Sequence, residues 1–154
     1  MELIKELIRD GAIFLIPLVV LIITRLIKFV LFYLRHNYDW KFAFQHSMSY
    51  GHMPSVHTAL MVSLVTTVGY YTGIKSGAFA VAVVIATLII DDATRLRVYM
   101  GDLGRYINAI RKKIDLDEKE FPRLKERMGH RISEVIAGAI TGFLLTILFI
   151  YWIG

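Results

Sequence analysis

His57 and His130 stand where ionisable side chains are costly and so are candidates for function, each at the head of a long apolar run. His57 ends "MPSVH". A helix opened by Pro54 leaves its first amides and positive dipole end free to meet an anion. Ser55 can add a hydroxyl donor, and His57 in the first turn suits a general acid that works once a phosphate is bound. His130 precedes Glu134 by four in "GHRISE". One helical turn lets the carboxylate fix one ring nitrogen and leave the other free as a nucleophile. Neither stretch is specific alone, since a histidine can cap a helix and HxxxE arises by chance.

Cations and amides that could complete such a site lie nearby. Arg25, Lys28 and Arg35 share a helical face through spacings of three and seven, as a phosphate would require. Snorkelling of long basic side chains to the headgroups is the alternative. In "DDATRLR" an acidic pair adjoins arginines, and it either binds magnesium or orients Arg97. Adjacent carboxylates point about 100° apart on a helix, so one of them faces the site. Asp92 is assigned to the ion pair with Arg97. In "GDLGRYIN" the glycines allow close backbone approach, and Asn108 can hydrogen-bond an ester or phosphate oxygen.

The elements that must position these groups are membrane helices. Of the 154 residues 56% are hydrophobic, and the mean hydropathy is +0.55. Apolar segments run over 11–33, 55–72, 76–92 and 132–153. The outer two exceed the roughly 20 residues that cross a bilayer, and the inner two are shorter but are read as spans as well. The fold expected is an all-α integral-membrane bundle of about four transmembrane helices in a single domain over 1–154. Short amphipathic cytoplasmic helices are expected at 95–113 and from Pro122. Met1 to Asp10 reads as an interfacial lead-in, Pro17 as a kink within helix one, and 34–54 as an aromatic headgroup-level segment. The first span is too long for a signal-peptide core and lacks a cleavage pattern.

The formal charge is +5. Residues 93–131 hold eleven Lys or Arg against six carboxylates. That bias places the 34–54 and 93–131 loops in the cytoplasm, with every candidate group at that face. Attraction to anionic lipid is the simplest second role of the basic loop, and no nucleic-acid partner is read from it. With no cysteine, disulfides, thiolate catalysis and cysteine-ligated zinc are excluded. Gly138 and Gly142 form a GxxxG face for close helix packing, within the chain or with a second copy.

The stretches "GHMPSVHTA", "DDATRLRVYMGDLGRYIN" and "LKERMGHRISEVIAG" resemble the three signature regions of the divergent type-2 phosphatidic acid phosphatase family, related to acid phosphatases and vanadium haloperoxidases. Lys28 and Arg35 match the superfamily's KxxxxxxRP spacing, with His36 at the proline. "PSVH" matches PSGH with Val56 at the glycine, and "HRISE" matches HxxxD with Glu134 at the aspartate. Leu124, flanked by Arg123 and Lys125, stands where the third motif has arginine, and Arg97 is the candidate to replace it. The resemblance implies His57 as acid, His130 as nucleophile backed by Glu134, and Lys28, Arg35, Ser55, Arg97, Lys125 and Asn108 around phosphate. Asp92 is the supporting residue, and neither metal nor cofactor is expected.

The reading is a metal-independent phosphatase of the cell inner membrane, acting from the cytoplasmic face on a lipid phosphate or diphosphate through a phosphohistidine. The alternatives are a non-catalytic protein binding phospholipid or a partner, and a magnesium-dependent lipid transferase using Asp91, Asp92 and Asp102. His52→Cys and Glu120→Cys, each in the cysteine-free chain, should react with an impermeant maleimide from the cytoplasmic side only. Labelling of either from outside would reverse the topology.

Overall fold

The computed structural model describes residues 2–35, 39–41, 44 and 53–153, with side chains described from residue 11 where the first helix is concerned. Every regular element among the described residues is helical. The helices are α1 (Glu2–Arg35), α2 (Val56–Thr72), α3 (Gly77–Asp91), α4 (Arg97–Lys113) and α5 (Ile132–Ile153). A π-helical turn, Asp92–Leu96, joins α3 to α4. His36, His52 and most of the 34–54 segment lie outside the described residues.

Among the described residues three helical stretches have the length and apolar character to cross a membrane: Gly11–Arg35, Gly77–Lys113 and Ile132–Ile153. The expected count of four spans is not confirmed, because α2 falls outside this set. α2 has 17 residues, about 26 Å, against a hydrocarbon core of about 30 Å. Its surroundings account for its different composition. α2 packs against α1, α3 and α5, and α1 also touches α5, so α2 faces protein on most sides. Accordingly Thr58, Ser63 and Thr67 are buried along it. Their hydroxyls have partners: Thr67 donates to the Ser63 carbonyl at 2.7 Å, and the Ser63 and Thr146 hydroxyls bond at 2.6 Å between α2 and α5.

Close approach of α2 and α5 comes from the two glycines. A Cβ at Gly138 would strike the Ser55 carbonyl, and one at Gly142 the Ala59 carbonyl. The GxxxG face thus packs within the chain, against α2. The same contact brings the starts of both helices together, where the Ser55 amide donates to the Glu134 carbonyl at 3.0 Å.

Two other expectations change. The lead-in is no separate interfacial helix, because α1 runs unbroken from Glu2 through Pro17 to Arg35. The helix expected at 95–113 is likewise a continuation of the third span through the π-turn. Pro122 starts no helix: residues 122–128 form an irregular strap laid along α4. Its backbone lies on the glycine face of α4, where Cβ atoms at Gly101 and Gly104 would come within 2.8 Å of Glu126 O and 2.5 Å of Lys125 O. Asn108 clasps it, donating to Leu124 O and Glu126 Oε1 at 2.9 Å each and accepting from Leu124 N at 3.0 Å. A strap bonded in this way has no need of helical hydrogen bonds.

Gly142→Val should separate α2 from α5 and destabilise the bundle by about 1–3 kcal/mol, as overpacking does. Denaturant titration in detergent checks this, with the half-buried neighbour Thr141→Val as the tolerated control.

Candidate active site

His130 is placed by backbone first. In a regular helix the Arg97 amide would bond to the Ala93 carbonyl four residues back. In the π-turn it bonds instead to Asp92, five residues back. The Ala93 carbonyl accepts from the His130 amide at 2.9 Å. Gly129 makes that approach feasible. It has φ +80°, and a Cβ there would lie 2.8 Å from Ala93 O. Beyond this anchor, His130 Nδ1 lies 3.0 Å from Glu134 Oε2, which also accepts from the Arg131 amide at 3.1 Å. An ionised carboxylate only accepts, so Nδ1 carries the proton and Nε2 keeps the lone pair.

The π-turn also sets Arg97. Residues five apart on an α-helix point roughly 140° from each other. The wider turn brings Asp92 and Arg97 together, with Arg97 Nε 2.6 Å from Asp92 Oδ2. Asp91 turns outward to Arg95 at 3.3 Å, so the carboxylate that orients Arg97 is Asp92.

Five chain segments converge on one point. Arg25 and Lys28 come from α1, His57 from α2, Arg97 from α4, His130 from the end of the strap and Glu134 from α5. His57 lies within electrostatic reach of Arg97, His130, Arg25 and Lys28. His130 is likewise coupled to Glu134, Lys28 and Arg97. Lys28 is coupled to Glu134 and Arg25. Lys28, His130 and Glu134 are 3%, 7% and 6% exposed, so this ionic centre is inside the protein.

A family model described as the Divergent PAP2 family matches residues 10–145. The chain belongs to the Divergent PAP2 family. It is also 33% identical over 150 residues to YuiD of Bacillus subtilis (strain 168), described as an uncharacterized membrane protein, covering 88% of this chain and 91% of that one. No solved structure matches. With membrane-length helices and a relative described as a membrane protein, the chain is an integral membrane protein related to membrane phosphatases.

The family's motif positions do not all meet at this centre. Ser55 is fully buried as the N-cap of α2, its Oγ accepting from Thr58 Oγ1 at 2.9 Å and from Thr58 N at 3.4 Å. Helix α2 therefore begins at Val56, two residues later than a Pro54 start implies. Arg35 is exposed, about 10 Å beyond Lys28 along α1. Asn108 has both its amide groups committed to the strap, and Lys125 lies exposed on that strap. Arg25, on the face of Lys28, belongs to the centre although it lies outside the family's motif. Asp91, Asp92 and Asp102 each pair with an arginine, Asp102 with Arg105 at 3.3 Å. Among the described residues no three His, Asp or Glu side chains gather as a metal site.

Burial pushes the His130 imidazole below its ordinary 6.5, against the opposing hydrogen bond and charge of Glu134. Hydrogen bonds from Asn108 and then Arg123 lower the Glu126 carboxyl and keep it a ready acceptor for the strap. For His130 the folded state favours the neutral ring, so between its lowered folded pKa and 6.5 the unfolded chain binds more protons. That contribution to stability is complete above 6.5 and is lost as pH falls toward the folded pKa. The unfolding midpoint should therefore drop between about pH 7 and pH 5, and His130→Gln should flatten the drop. An unchanged slope in the variant would assign the titration elsewhere.

Proposed function

We propose that this protein is an integral-membrane phosphatase hydrolysing a lipid phosphate or diphosphate through a phosphohistidine at His130. The observation that supports it is the meeting of two histidines, one backed by a buried carboxylate, with three cations from two helices. Nε2 of His130 attacks phosphorus and forms an N–P bond as the ester O–P bond breaks. His57 gives the departing oxygen its proton, so the lipid leaves as an alcohol, or as a monophosphate when the substrate is a diphosphate. Water then adds to phosphorus, His57 takes a proton from it, the N–P bond breaks, and phosphate leaves. Arg25, Lys28 and Arg97 offset the charge on the equatorial oxygens, the task that falls to metal ions in many phosphoryl transfers.

In this scheme Glu134 and Asp92 are positioning residues, the first setting the tautomer of His130 and the second the direction of Arg97. Ser55 holds the start of α2 and through it His57. Apolar helix faces hold the lipid tail. The lysine and arginine bias of residues 93–131 supports a site on the cytoplasmic side, and the membrane proposed is the cell inner membrane.

The test is phosphate release by purified protein, without added metal, from phosphatidic acid, phosphatidylglycerophosphate and polyprenyl diphosphates. His130→Ala should abolish release and the acid-labile phosphoprotein, and His57→Ala should lower the rate by about 10²–10⁴-fold. Full hydrolysis by His130→Ala would overturn the mechanism. Tight vanadate binding without any turnover would instead favour a phospholipid-binding protein with a retained pocket.

A further inference from the structure

His130 also forms part of the wall of a second space. A cavity of about 850 Å³ opens between the π-turn, the start of α4 and residues 126–134, and Thr94, Val98, Asp102 and Arg105 form one side of it. Arg25, Lys28, Arg97 and His57 take no part in its lining. It therefore extends from the nucleophile away from the three cations already assigned to one phosphate.

Three arginines and three carboxylates line it, but they are not all paired with one another. Its three carboxylates have partners: Asp102 has Arg105, Glu126 has Asn108 and Arg123 at 2.9 Å, and Glu134 has His130 and the Arg131 amide. Arg127 and Arg131, on either side of Gly129 and His130, have no carboxylate within ion-pair distance among the described residues. Ile132 and Ser133, at the positive end of α5, line the same space. Two uncompensated guanidinium groups beside a helix N-terminus suit a phosphoryl oxygen cluster.

We propose that this cavity takes a second phosphoryl group of the substrate, so that the preferred lipid carries two. It is either a diphosphate or a phosphomonoester joined to the lipid through a phosphodiester. This rests on the phosphatase reading for what happens at His130, whereas the two-phosphate site stands on the cavity itself.

Calorimetric titration of the purified full chain with orthophosphate, methylenediphosphonate and glycerol 1,3-bisphosphate tests it. At least one two-phosphorus probe should bind about tenfold or more tightly than orthophosphate, and Arg127→Gln/Arg131→Gln should remove that advantage. A methylenediphosphonate advantage indicates a diphosphate, and a glycerol bisphosphate advantage indicates a phosphodiester headgroup. Equal binding of all three, or an advantage that survives the double substitution, overturns the proposal. Hydrolysis of phosphatidic acid, phosphatidylglycerophosphate and polyprenyl diphosphate is measured beside it. No hydrolysis of any lipid, with the two-phosphorus advantage intact, would sink the phosphatase reading and uphold the two-phosphate site.

Discussion

Glu134 is a carboxylate held inside a membrane protein, and an ionised group there persists only if other groups compensate it. The compensation comes from three directions. His130 and the Arg131 amide bond its Oε2, and Lys28, itself buried on another helix, acts on it through charge. Each partner has its own conditions. Lys28 needs α1 at the right depth, His130 needs the strap to end at the π-turn, and Glu134 needs α5 to start at that level.

The helix contacts meet those conditions in sequence. Glycines at 138 and 142 bring the α5 axis close to α2, so the first turns of both helices are level and the Glu134 carbonyl receives the Ser55 amide. His57 then stands one half-turn into α2, near His130. Separately, glycines at 101, 104 and 129 let the strap lie on α4 and close on Ala93. Five positions without a Cβ thus carry two docking contacts, and both end at the histidine pair. Substitution at any of them would act on the site without touching a phosphate.

Much of this was legible in the sequence, for identifiable reasons. Histidine, lysine and glutamate at apolar helix ends are expensive enough to mark themselves, and the divergence of adjacent carboxylates on a helix meant that only one of Asp91 and Asp92 would face the site. The all-helical membrane character followed from composition. What could not be read was the backbone. The π-turn depends on which carbonyl an amide selects, and no residue pattern in "DDATRLR" declares that choice. The strap looked helical because Pro122 often begins a helix, but Asn108 lies 14 positions earlier and its bonds to Leu124 and Glu126 decide otherwise.

The π-turn has two effects, and both fall on the candidate site. Wider winding moves Arg97 over Asp92, and the same shift of hydrogen bonding turns the Ala93 carbonyl toward the His130 amide. A regular helix through 92–97 would break the ion pair and return that carbonyl to Arg97. The Arg97 guanidinium and the His130 imidazole would then lose their anchors together. One irregular turn within the 37-residue helix Gly77–Lys113 therefore couples the orientation of the guanidinium to the position of the imidazole.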